Sequence, residues 1–115
     1  MDALTARTLL KATLAPVAVP VKFRGEVLPT DTAHIVVDLI VDAPIYTLTL
    51  APTQSITTLQ VGYYARLPFS NAAAIYDAGH PLLLAAGFQN SGAVRFTQED
   101  NWTGVIVDYQ YLIGG

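Results

Sequence analysis

Cysteine is absent from the 115 residues. That excludes disulfides, thiolate metal sites and a cysteine nucleophile. Charge is scarce too: 13% of residues are charged and 52% are hydrophobic, against roughly 25% charged in an ordinary soluble domain. A monomer of this size would struggle to cover itself with so few charges, so some apolar surface is expected to be buried against other subunits. No run of about 18 apolar residues occurs, as a membrane-crossing helix would need. The opening Met1-Asp2-Ala3 lacks the basic, then apolar, pattern of an export signal, so the chain reads as soluble and unexported. On that reading the sequon Asn101-Trp102-Thr103 is a chance match.

Phosphate-binding signatures are missing as well. Gly79, Gly87 and Gly92 fit neither GxGxxG nor GxxxxGK[ST], and no lysine follows Lys22. The net charge of −3 argues against sequence-specific or general nucleic-acid binding, which draws on a basic patch. Four of the six basic residues (Arg7, Lys11, Lys22, Arg24) lie within the first 25 positions beside a single acid, Asp2. The N-terminal part therefore carries +3 and the remainder −6.

What is present is a patterned single domain, residues 1–115, of α+β class. Ala3, Ala6, Leu10 and Leu14 recur at helical spacing, with Asp2 as cap and Pro16 as stop. Val17 to Phe23 is a short extended segment, and Pro20 suits it to a sheet edge or a connection. Gly25 to Asp31 reads as a loop. From Ala33 to Val41 the period is two, Pro44 interrupts or bends the strand, and Ile45 to Leu50 resumes it. Ala51 to Ser55 is expected to turn the chain into a third strand, Ile56 to Leu67, with Leu59, Val61, Tyr63, Ala65 and Leu67 on one face. Ser70 would cap an alanine-rich helix, Asn71 to Ala78, broken or kinked at Gly79-His80-Pro81, continued over Leu82 to Ala86 and stopped by Gly87. Val94 to Gln98 and Thr103 to Ile113 follow as strands. The expected order is α-β-β-β-α-β-β, a mainly antiparallel sheet packed against two helices.

Candidate chemistry is thin, and no cofactor or metal is expected. His34 shares a strand face with Asp38 and Asp42, but the carboxylates lie about 13 Å and 26 Å along the strand, so it reads as a satisfied or solvated strand histidine. His80, between Gly79 and Pro81, reads as a helix end or an exposed corner; with Asp77 it supplies two metal ligands and lacks a third. Glu99 and Asp100 are adjacent carboxylates in a polar turn, with no environment to split their pKa values. Tyr63, Tyr109 and Tyr111 read as core or subunit contacts. Only Arg66 and Arg95 could serve a stacking platform for single-stranded nucleic acid. Trp102 is either an exposed interface anchor or a ring tucked against its hairpin. The candidate subunit or partner contacts are Lys22, Arg24, Glu26, Asp100 and Trp102, and the chain is expected not to be an enzyme. An adaptor that pairs through an edge strand is the alternative class; a site assembled at a subunit interface is a third.

The order of elements and several strings resemble the tail terminator (tail completion) proteins of long-tailed bacteriophages. The likeness lies in the short N-terminal helix, the strand pair around Thr32 to Leu50 and the strand Thr57-Thr58-Leu59-Gln60-Val61-Gly62-Tyr63-Tyr64. It continues through the alanine-rich helix and the ending Asp100-Asn101-Trp102-Thr103-Gly104-Val105-Ile106-Val107-Asp108-Tyr109-Gln110-Tyr111. It departs at Gly79-His80-Pro81, where the family's helix is usually continuous. The resemblance implies a virion protein at the tail-neck junction, assembled in the bacterial cytoplasm. It would be a hexameric ring of copies closing the tail tube, with the tail tube protein and head-neck connector proteins as partners, and with no membrane and no catalytic residue.

Overall fold

A computed structural model describes residues 3–28, 32–46 and 52–114. The elements are α1 (Ala3–Thr13), a 3-10 turn (Ala15–Val17), β1 (Val21–Phe23), β2 (His34–Tyr46), β3 (Pro52–Arg66), α2 (Phe69–Ala85), β4 (Gln89–Asn90), β5 (Arg95–Glu99) and β6 (Trp102–Gly114). The class is α+β as expected, and the order matches with β4 as a two-residue addition. Six strands form one sheet in the order β1-β2-β3-β6, with β4 and β5 both pairing the far side of β6. Every pairing is antiparallel except β1 with β2.

Alternation places Ile35 and Val37 of β2, Leu59, Val61, Tyr63 and Ala65 of β3, and Val105, Val107 and Tyr109 of β6 on one buried face. Both helices cover that face. From α1 and its exit, Ala6, Leu10 and Leu14 are buried; from α2 and its exit, Ala72, Ile75, Leu83 and Phe88. Fully burying a side chain the size of Leu or Phe stabilises the fold by about 1.5–3 kcal/mol, so this layer holds the domain together. At Gly79 an added Cβ would stand 3.0 Å from both Leu14 Cδ2 and Tyr63 Cε1. The missing side chain is what lets α2 settle on α1 and the sheet.

Several local expectations change. The break at Gly79-His80-Pro81 does not occur: α2 runs unbroken through Pro81. Proline removes one helical hydrogen bond and crowds the carbonyl four residues back, here that of Asp77. Both Pro81 and Asp77 are solvent-exposed, so water can serve that carbonyl while Ile75, Gly79 and Leu83 stay packed on the opposite side. The helix begins at Phe69, with Pro68 rather than Ser70 in the cap position and no side-chain cap. It stops before Gly87, whose φ of +102° suits glycine.

In the first helix Thr13 is the last α-helical residue and Pro16 sits in the following 3-10 turn. The expected cap Asp2, loop residues 29–31 and the segment 47–51 lie outside the described residues. β2 passes Pro44 without interruption, and a register shift between Leu39 and Val41 ends the single run of alternation. Residues 52–55, expected in a turn, belong to β3. Beyond Val37, β2 has a strand partner only on its β3 side among the described residues, and β6 beyond Gln110 likewise only on its β3 side. The molecule is elongated, 52 × 26 × 24 Å, in keeping with three strands of 13 to 15 residues.

Candidate functional site

The face of the sheet away from the helices carries the unexpected feature. In β3, Gly62 and Tyr64 share this face, and Tyr64 pairs with Gly104 of β6 on one side and His34 of β2 on the other. A Cβ on Gly104 would lie 2.7 Å from Tyr64 Cδ1 and Cε1, and one on Gly62 would also run into the ring. The two glycines therefore let the tyrosine lie flat across the backbone. His34 stacks on Tyr64 at 5.6 Å between ring centres and meets the edge of Trp102 at 5.2 Å. The Arg66 guanidinium lies 5.3 Å from the Trp102 ring centre, within cation–π range.

These rings wall an open cleft of about 510 Å³, bounded further by Leu28, Glu99 and Asp100. His34 is buried, 5% exposed, and its Nδ1 lies 3.0 Å from the Thr32 carbonyl. A carbonyl only accepts, so Nδ1 carries the proton in this contact. Asp100 opens the two-residue turn between β5 and β6 with φ of +53°. The Leu67 N–H donates to the Asn101 carbonyl at 2.9 Å, which ties the turn down. Among the described residues no lysine or arginine lines the cleft. Its polar chemistry is that of acceptors and π faces, which fits a cation.

The candidate contacts fall into two groups at opposite edges of the sheet. Lys22, Arg24 and Glu26 lie on or just after β1. Arg24 donates to Asp38 at 2.8 Å, with its own side chain 77% exposed. The Phe23 N–H donates to Glu26 Oε1 at 2.7 Å. That bond lowers the Glu26 carboxyl pKa; desolvation opposes it, and Lys22, Lys11 and Arg7 each add a smaller lowering. Arg7 and Lys11 stand 4.1 Å and 5.4 Å from the Phe23 ring centre. Asp100, in the turn after edge strand β5, lies at the other edge, and Trp102 begins β6 beside it, paired with Arg66 of β3 and Glu99 of β5. Trp102 is half-buried against His34 of β2 and Arg66 of β3, so its ring rests on neighbouring strands, neither standing free as an exposed anchor nor folding back on its own hairpin.

On the helix side a second polar group appears. His80 Nδ1 is 2.7 Å from Tyr109 Oη, which is 2.8 Å from Tyr63 Oη, and Tyr76 stacks on His80 at 4.9 Å. His80 is thus neither a helix end nor an exposed corner; it pins the middle of α2 to the sheet. Burial is the main cause that raises both tyrosine pKa values. Asp77 points to solvent and takes no part. Among the described residues no group of three or more His, Cys, Asp or Glu could hold a metal ion.

Alternation already put His34 and Tyr64 on mixed strand faces. Their union with Trp102 depends on the β2-β3-β6 strand order, which residue spacing does not report. No model of a known family matches the chain, and no curated protein matches it.

Proposed function

We propose that the chain is a non-catalytic structural subunit of a phage-like tail, assembling as a hexameric ring that ends the tail tube and meets the head-neck connector. One observation carries the reading: among the described residues the sheet, covered by helices on one face, ends in β1 and β5, each with a strand partner on one side only, with basic groups at β1 and carboxylates at the β5–β6 turn. Unpaired strand edges are ready templates for pairing with another chain. Two unlike edges on one subunit make heterologous contacts, which close into rings when the rotation permits. Low charge supports this, as do exposed apolar side chains such as Val27, 90% exposed, and Phe96, 66% exposed. The family likeness supplies the tail; the edges supply only the self-association.

An adaptor that takes an extended peptide along one edge is the second reading, favoured by the all-exposed β5. Native mass spectrometry separates the two. A discrete hexamer, alone or when mixed with tail tubes, is expected; a stable monomer that binds peptide would overturn the ring.

A further inference from the structure

The described charges on and beside the sheet are mostly neutralised within the chain, and the exceptions lie at opposite edges. Arg24 pairs with Asp38 and Arg95 with Asp108. Arg7 and Lys11 lie over Phe23, and Arg66 over Trp102. Glu26 takes the Phe23 N–H. Lys22 contributes to the field at Glu26 but forms no ion pair among the described residues, and neither do Glu99 and Asp100.

We infer that Lys22 of one copy meets Glu99, at the acidic rim of the outer-face cleft, in the next copy. The inference rests on the ring reading and gives it a specific interface between second copies of this chain.

Strand direction and side-chain parity fix the details. β1 runs with β2, β2 against β3, β3 against β6 and β6 against β5. Copies related by rotation about an axis along the strands therefore set β5 of one antiparallel to β1 of the next. Lys22 pairs with Val36 and faces away from the helices, as Arg95, Thr97 and Glu99 do through Ile106, Gly104 and Trp102. To keep the helix faces together, Lys22 must stand opposite one of these three. Opposite Arg95 it meets a like charge. Opposite Thr97 it brings Arg24 against Arg95, again like against like, which is unfavourable across a strand pair. Opposite Glu99 it meets its complement, and Arg24 then faces Thr97.

The absence of cysteine makes a clean test. Within one chain, four strand spacings separate positions 22 and 99, about 19 Å along the sheet, beyond the reach of a disulfide. On oxidation the full-length K22C/E99C variant is expected to give a ladder of covalent multimers ending at the ring. K22C/T97C should give far less, and either single cysteine none. As a second arm, K22E and E99K should each dissociate the ring, and K22E/E99K together should restore it. A ring by native mass spectrometry without the K22C/E99C ladder, or with a stronger K22C/T97C ladder, overturns this interface and leaves the ring reading standing. A monomer at every concentration, with and without tail tubes, overturns both.

Discussion

Replacing Tyr109 by phenylalanine removes the hydroxyl at the centre of the His80–Tyr109–Tyr63 chain. Tyr63 Oη, on a fully buried residue, then loses the hydrogen bond the structure gives it, whereas half-buried His80 can turn to water. Stranding one buried hydroxyl costs about 1–3 kcal/mol. Y63F instead deletes the end of the chain and leaves Tyr109 bonded to His80, so its cost is the net value of one bond, about 0.5–1.5 kcal/mol. The double variant strands nothing and should cost less than the sum of the singles. Urea unfolding followed through Trp102, the single tryptophan, measures all three. Y109F is expected to lower the urea midpoint more than Y63F, and thermal unfolding should show the same order, at about 4 °C of melting temperature for each kcal/mol in a domain of this size. If Y109F costs no more than Y63F, Tyr109 is not the bridging group.

Alkaline stability follows from the same pair. Their folded pKa values lie above the unfolded value of about 10, so above that pH the unfolded chain releases protons that the folded chain keeps. Stability is then full below about pH 10 and falls as pH rises, by up to about 1.4 kcal/mol per pH unit for each tyrosine; urea titrations at pH 8 to 11 should show a shallower fall in Y63F, and an unchanged slope would contradict the buried network. P81A should stabilise α2 by about 1–3 kcal/mol, since an interior proline costs roughly 3 relative to alanine; an unchanged melting temperature would mean the missing hydrogen bond is fully compensated. G79A should destabilise by about 1–3 kcal/mol through overpacking against Leu14 and Tyr63, and a gain in stability would show that the contact relaxes. G104A should lift the Tyr64 ring from the sheet and change the near-ultraviolet circular dichroism of the His34–Tyr64–Trp102 group while leaving the far-ultraviolet spectrum intact; an unaltered near-ultraviolet spectrum would refute the flat placement of that ring.

Much of the fold is written in local periodicity. The two-residue alternation through Leu59, Val61, Tyr63 and Ala65, and again through Thr103 to Tyr109, reports the buried face directly because those strands are flanked on both sides. Where it misleads, tertiary packing outweighs a local rule. Pro81 stays helical because the other side of its helix is anchored by Ile75, Gly79 and Leu83. Residues 52–55 extend because β2 pairs with Pro52, Gln54 and Ser55 and β6 with Gln54 and Ser55, overriding the turn propensity of Pro52 and Ser55. The site is less legible still. Lys22, Arg24, Asp100 and Trp102 can be picked out by residue type, yet their division between the two ends of the strand order follows from the topology alone. His80 depends on a partner 29 positions away in sequence, which no spacing near it reports.

The most direct test of the central claim is addition of the purified full-length chain to growing tail tubes whose own terminator has been removed. If the chain is a tail-ending ring, electron microscopy should show tubes that stop lengthening, each with one ring at a single end, and that then become competent to join heads. Tubes that go on lengthening, with no ring at either end, would contradict it.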